Sequence, residues 1–220
     1  MLSGRRKPLT FHSQYGQDKF VAGLIPDRGR TFVEFGALDG VQDSNSLYFE
    51  RERGWHGLLI EANPITFESL QRNRPDAKLC NAAIFDRNGS VEFEMIGGAL
   101  HGWSGIKQSM EPQRAQRIER DTVWYLNSTV PVPCRTLDDV LREFGIQQID
   151  YLSIDVEGAE LAILKVFPFQ RYAIDVIGVE DNFGNPELDR IMIGNGFRFL
   201  QTVGPDRFYR SQTSPYSAQC

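Results

Sequence analysis

Continuous apolar runs at residues 32–37, 57–61, 78–84, 151–155 and 176–180 are separated by stretches whose apolar positions recur every three or four residues. Runs without alternation suit strands buried on both faces, as in a parallel sheet covered by helices. The intervening period predicts helices over 44–53, 65–72, 137–144, 159–167 and 187–195, with Gly196 as the C-cap of the last. Beyond it, 197–203 and 207–210 flank Gly204-Pro205-Asp206, which reads as a turn between antiparallel strands. The pattern is α/β: a doubly wound, mostly parallel sheet ending in an antiparallel hairpin.

Two regions depart from this alternation. Residues 91–96 follow Asn88-Gly89 and are expected to pair with the preceding strand as a short hairpin. Residues 97–109 carry four glycines, His101 and Trp103, and read as a loop leading into a polar helix over about 112–126. An insertion at about 97–130, placed over the carboxyl ends of the strands, would form a lid or an acceptor pocket. The 220 residues show no repeat or low-complexity tract, and are expected to form a single domain, 1–220, around a sizeable core.

Charge and cysteine usage narrow the class. A formal charge of −5 argues against a general nucleic-acid binder, and the basic cluster Arg5-Arg6-Lys7 is too short to reverse that. Cys80, Cys134 and Cys220 are few, odd in number and far apart, which fits reduced thiols and no structural zinc. With no apolar run long enough for a membrane span and no signal-peptide core, a cytoplasmic protein is expected.

The candidate chemistry begins at Thr31-Phe-Val-Glu-Phe-Gly-Ala-Leu-Asp-Gly40, a strand running into two glycines with a carboxylate between them. Gly36 lets backbone approach a ligand, and Gly40 permits a tight exit towards a helix that Ser44 or Asn45 could cap. A second strand then ends at Glu61, where a carboxylate can accept hydrogen bonds from both ribose hydroxyls of an adenosine cofactor. The turn lacks the three-glycine dinucleotide pattern, and Asp39 inside it would repel a pyrophosphate but suits a sulfonium and an amino group. The densest acidic stretch is Ile149-Asp-Tyr-Leu-Ser-Ile-Asp-Val-Glu-Gly-Ala-Glu160, which puts Asp155 and Glu157 at the ligand-binding edge of the sheet. Glu157 and Glu160 also have a plainer reading, as complements to a helix dipole.

Together, Ser13-Gln-Tyr-Gly-Gln-Asp18, Phe32 to Gly40 with Ser44-Asn45, Gly54-Trp-His-Gly-Leu-Leu-Ile-Glu61, Asn81-Ala-Ala83 and Ile154-Asp-Val-Glu-Gly-Ala-Glu-Leu161 resemble the FkbM family of S-adenosylmethionine-dependent methyltransferases. The likeness runs from about residue 13 to 199, and the middle insertion falls outside it. It implies a class I, Rossmann-like methyltransferase fold with a seven-stranded sheet. It also implies O-methylation of a hydroxyl on a sugar, glycan or polyketide-type natural product. By position, Glu34, Gly36 and Asp39 would line the methionine end of the cofactor, Glu61 would hold the ribose, and Asn81 and Ala82 would lie beside the adenine. The same motifs place Ala37, Asn45, Ala62 and Asp155 in the cofactor set. Gln14, Gln17 and Asp18 would close over it, although capping by Ser13 also explains such residues.

Methyl transfer to a hydroxyl needs a group that takes its proton as the oxygen attacks. Candidates are Asp155 and Glu180, which end the two strands flanking the expected methyl position, followed by Glu157 and His101. An alternative uses Mg²⁺ held by Asp155 and by Glu180, Asp181 and Asn182 to lower the hydroxyl's pKa. Asp181 and Asn182 are equally ordinary turn residues. Trp103, Trp124 and Tyr125 could stack on an acceptor ring or simply pack the insertion down. A nicotinamide oxidoreductase and a non-catalytic module of methyltransferase fold are the other classes weighed against this one.

Overall fold

The computed structural model describes residues 10–27, 30–97, 102–109 and 128–214. In chain order these form α1 (Gln17–Leu24), β1 (Thr31–Phe35), α2 (Leu47–Arg53), β2 (His56–Ile60), α3 (Pro64–Asn73), β3 (Lys78–Cys80), β4 (Ala83–Ile84), β5 (Gly89–Met95) and β6 (Gly105–Ile106). They continue with β7 (Ser128–Arg135), α4 (Leu137–Glu143), β8 (Gln148–Ile154), α5 (Glu160–Val166), β9 (Ala173–Glu180), α6 (Pro186–Gly194), β10 (Phe197–Val203) and β11 (Asp206–Ser211). The predicted helix over 112–126 and His101, Trp124, Tyr125 and Cys220 lie outside the described residues.

A seven-stranded sheet runs in the order β10-β11-β9-β8-β1-β2-β3. Strands β3, β2, β1, β8 and β9 are parallel, while β11 is antiparallel to both β9 and β10. Its two faces are separate apolar clusters, as the continuous runs in the sequence require. Val33, Leu58, Leu152 and Ile177 join Val140 and Ile163 of α4 and α5 on one side. Phe32, Leu59, Tyr151 and Val176 join Val21, Tyr48 and Leu70 of α1, α2 and α3 on the other. Burial of neighbouring strand residues to opposite sides is the physical content of a doubly wound sheet.

The run at 78–84 is two strands in two sheets. The Asn81 amide donates to the carbonyls of Glu61 (2.7 Å) and Ala62 (3.3 Å), which ends β3 and redirects the chain. Strand β4 then enters a small second sheet of order β4-β7-β5-β6. The expected hairpin between residues 91–96 and the strand before them therefore does not form. Strand β5 pairs antiparallel with β7 along its whole length and with β6 at its end, and β7 lies between β4 and β5. Strand β7 escaped the sequence reading because Pro131 and Pro133 look like strand breakers. They lie two apart, on the outward-facing positions, while Val132 and Cys134 are buried.

Helix starts also differ in detail. Residue Ser46, not Ser44 or Asn45, stands at the N-cap of α2 and makes no side-chain cap. The cap is supplied two residues earlier, by the Ser44 hydroxyl accepting from the backbone N–H of Ser46 (3.3 Å) and Leu47 (3.2 Å). In α3 and α6 the caps are Asn63 and Asn185, each followed by proline at the first helical position. No helix among the described residues is long and apolar enough to cross a membrane. Cys80 and Cys134 are buried free thiols.

Candidate active site

Strand order reverses between β1 and β8: the chain moves outward from β1 to β2 and β3, then returns to β8 on the other flank. Loops leaving adjacent carboxyl ends in opposite directions open a crevice, which is where ligands bind in sheets of this kind. Gly36, just beyond β1, is pressed against this point with φ 78°. A Cβ there would stand 1.7 Å from the backbone oxygen of Asp155, so no other residue fits without parting the two strand ends.

A solvent-open cleft enclosing about 600 Å³ lies above this crossing. Gly36 and Leu38 come to it from β1, Glu61 and Ala62 from β2, Ala82 from the β3–β4 turn, and Asp155 and Glu157 from β8. The second sheet closes the far side with Ile84, Phe93 and Ile106. Phe93 and Ile106, together with Thr66 on α3, were missed in the sequence. The alternation of buried Val91 and Phe93 with outward Glu92 and Glu94 was the available signal for a sheet with one dry face.

The Glu61 carboxylate is buried and turned back on the backbone. It accepts from Leu38 N–H at 2.9 Å and Asn63 N–H at 2.7 Å, which fixes the β1 loop beside the β2 tip. Burial pushes its pKa up to about 7 against the pull of those hydrogen bonds. Ala62 and Ala82 line the cleft, whereas Asn81 holds the turn beneath them through its amide.

Several predicted cofactor residues take structural roles. Glu34 does not line the cleft; its carboxylate accepts from Ser44 Oγ (3.1 Å), the backbone N–H of Asn45 (2.7 Å) and Ser46 Oγ. The Asn45 side chain donates to Ser153 Oγ on β8 at 3.0 Å. Asp39 folds its own turn, accepting from Val41 and Gln42 N–H at 2.9 and 2.8 Å. Ala37 packs into the core on the α1–α3 side. Gln14 is exposed, and Asp18 ties the segment down through His12 N–H and Ser13 Oγ, both at 2.6 Å.

Beside the first cleft is a second, about 510 Å³, containing Glu180, Asp181, Asn182 and Phe183 from the end of β9. Glu157 lines both. It has φ 61°, a left-handed backbone that a non-glycine residue adopts only under constraint. Glu160, predicted as a dipole complement, folds back to accept from Val156 and Gly158 N–H at 3.1 Å and fixes the turn between β8 and α5.

Carboxylate oxygens of Asp155, Glu157 and Glu180 converge within 4.8 Å of one another. Burial and the negative charges of Glu157, Asp206 and Glu160 push the Asp155 pKa well up; burial and Asp155 raise Glu180 to about 10. With oxygens of Asp155 and Glu180 within 4.8 Å of each other, like charges resist joint ionisation, and the pair favours a state in which one carboxyl holds a proton. The Mg²⁺ alternative named Glu180, Asp181 and Asn182 beside Asp155; the converging set keeps Asp155 and Glu180 but has Glu157 in place of Asp181 and Asn182. Asp181 is drawn off towards Asn185 N–H (2.9 Å) and Arg207 Nε (3.7 Å).

Asp206 joins the acidic group from β11 and is also raised to about 7, mainly by burial. The sequence placed it in a turn, and nothing in the turn signal marks a buried carboxyl. With Glu34, Glu61, Asp155 and Glu180 also raised, the folded protein binds more protons than the unfolded chain above about pH 4.5. Stability contributed by Glu61 and Asp206 is complete below their unfolded pKa and is lost as pH rises through about 7. Among the described groups His12, lowered by burial, opposes this weakly between pH 5 and pH 8, while Asp138 and Asp189, also lowered, act only below that range. The melting temperature of the ligand-free protein is therefore expected to fall by at least about 5 °C between pH 5 and pH 8. Calorimetric scans across that range would check it; a flat or rising profile would mean that these carboxyls are not held protonated.

Comparison with solved structures gives the same arrangement of elements. Methyltransferase FkbM from Methylobacillus flagellatus KT is 15% identical with a TM-score of 0.52, over 90% of this chain and 48% of that one. The METTL16 MTase domain is 12% identical with a TM-score of 0.50, over 89% and 66%. This chain thus spans about half the length of the first. At such identities the likeness is one of fold, the class I methyltransferase fold with its reversed last strand. Comparison with curated proteins finds no match. Sequence is more decisive: the Methyltransferase FkbM domain matches residues 34–199, from the middle of β1 through Glu61, Asp155 and Glu180 to β10. A match that takes in every strand end around the two clefts makes this chain a member of the FkbM methyltransferase family.

Proposed function

We propose that the protein is an S-adenosylmethionine-dependent O-methyltransferase acting on a hydroxyl of a sugar, glycan or related natural product. The observation behind the cofactor assignment is the cleft at the β1/β8 crossing, where Gly36 leaves the backbone bare and the Glu61 carboxylate stands at the β2 tip. Each Glu61 oxygen has one lone pair turned to backbone N–H, leaving acceptor capacity for ribose hydroxyls. Ala82, Ile84 and Phe93 offer the apolar slot that an adenine ring needs. Bound there, the cofactor supplies a methyl group already activated on a sulfonium.

The second cleft is the acceptor's side in this reading. Glu157 stands between the two compartments, and the Asp155–Glu180 pair lies where a hydroxyl entering from the second would lose its proton. An ionised member of the pair accepts that proton and is left neutral; before the transfer its partner's bound proton holds it in the ionised form. Phe183, half exposed at the rim, offers a face on which a sugar ring can stack.

A second reading, Mg²⁺ dependence, is favoured by the convergence of Asp155, Glu157 and Glu180. Three hard oxygen donors suit that ion, which would polarise the acceptor's hydroxyl.

Incubation with methyl-deuterated S-adenosylmethionine and a panel of neutral glycans and hydroxylated natural products tests both readings. Transfer of a labelled methyl group to oxygen, unchanged by EDTA, is the expected result. Transfer abolished by EDTA and restored by Mg²⁺ would select the second reading. Transfer to nitrogen or carbon alone would sink the assignment to hydroxyl chemistry.

A further inference from the structure

Arg74 directly follows α3 and is completely buried, although it touches neither cleft. Its guanidinium has five N–H groups, and each has a partner. Nε donates to Glu50 Oε1 at 3.0 Å, and Nη2 donates to Glu50 Oε2 at 2.9 Å and Ser46 Oγ at 3.2 Å. Nη1 donates to the Gly40 carbonyl at 2.9 Å and Ser44 Oγ at 3.3 Å. The neighbouring Asn73 amide donates to the Asp39 carbonyl at 2.8 Å.

Three of these contacts, and that of Asn73, fall on one segment, the loop from Gly36 to Ser46 that leaves β1, and the two to Glu50 fall on α2, into which the loop runs. The serines that accept from Arg74 donate in turn to Glu34, so a buried cation and a buried anion are joined through two hydroxyls of fixed polarity. Gly40 has φ 76°, and a Cβ there would stand 2.6 Å from the Arg74 side chain, so loop and arginine are fitted without slack. At the other end of the same loop, Leu38 lines the cofactor cleft and gives its N–H to Glu61.

From this we infer that Arg74 is a positioning residue for the cofactor: it clamps the back of the β1 loop so that the front keeps the Leu38–Glu61 contact and the cleft's shape. The inference rests on the cofactor reading above. A lysine cannot replace it, because an ammonium has three donors radiating from one atom whereas the five contacts here lie in a planar fork. Loss of the fork leaves the loop free to shift and the cleft to be organised anew with each binding event, so affinity falls even in folded protein.

The test compares S-adenosylhomocysteine titrations and melting temperatures for the wild type, Arg74→Lys, Ser46→Ala and Arg210→Lys. Arg210 is the control: it is equally buried and ion-paired to Asp175 (3.1 Å), at the opposite end of the sheet. The expected result is a dissociation constant weakened about tenfold or more in Arg74→Lys and about threefold in Ser46→Ala, unchanged in Arg210→Lys, with melting lowered in all three. Equal affinities in all folded variants would overturn the inference, leaving Arg74 a stability residue. Should Arg74→Lys not fold, Ser46→Ala decides alone. A wild type that binds no S-adenosylhomocysteine would refute the cofactor reading itself, a failure distinct from any pattern among the variants.

Discussion

Replacing Glu61 with alanine is expected to weaken S-adenosylhomocysteine binding by about a hundredfold or more. Two hydrogen bonds from neutral hydroxyls to a buried carboxylate contribute roughly 1.5–3 kcal/mol each, and every 1.4 kcal/mol is a factor of ten. A further loss comes from within the protein. Without the carboxylate, the N–H groups of Leu38 and Asn63 lose their acceptor, and the β1 loop and β2 tip are no longer joined. Wild-type affinity should also climb as pH rises through about 7, where the carboxyl ionises and becomes the better acceptor. In Glu61→Ala that dependence should flatten. A folded variant, verified by its circular dichroism and cooperative melting, that binds within threefold of wild type would place the ribose elsewhere.

The central sheet was legible because its strands are apolar on both faces, a pattern set by burial alone. Val33 and Phe32 point to different clusters, yet both must be hydrophobic, and no long-range information is needed to see it. The second sheet was not legible. Strand β7 is held by pairing with β5, a partner some forty residues earlier, with its two prolines opposite Ser90 and Glu92. Local propensity reads only the prolines.

The same division runs through the site. Glu61, Asp155 and Glu180 could be named from their place at strand ends, because topology carries such ends to one edge of the sheet. Their surroundings could not. Whether a carboxylate faces a cleft or a loop depends on what packs behind it. Glu34 lies on β1 only two residues before the cleft-facing Gly36 but spends its oxygens on Ser44, Asn45 and Ser46. Arg74 carried no motif at all, and its significance exists only in the five contacts it makes. Asp206 reached the acidic group because β11 inserts between β9 and β10, so the hairpin's first residue meets Glu180 in register.

That acidic group sets up the sharpest test of the chemistry. Asp155→Asn and Glu180→Gln are each expected to lower kcat by about 10²–10⁴-fold, the usual weight of a positioned proton acceptor. They should part in binding. Glu180 lines only the second cleft, so Glu180→Gln should bind S-adenosylhomocysteine as the wild type does. Asp155 borders the first, so its variant should bind somewhat differently. Because burial and mutual repulsion hold both pKa values up, the accepting, ionised form grows with pH. Wild-type kcat should therefore rise from pH 6 to pH 9, while Glu180→Gln, which removes one negative charge from beside Asp155, should shift the remaining rise to lower pH. A metal held by the same oxygens would give a different outcome, since the bound cation's charge already favours the ionised carboxylates and the rise would track metal occupancy. Measuring the profile in EDTA and then with Mg²⁺ separates the two. A pH profile identical in wild type and Glu180→Gln, with kcat unchanged, would remove the pair from the reaction and leave proton transfer to another group.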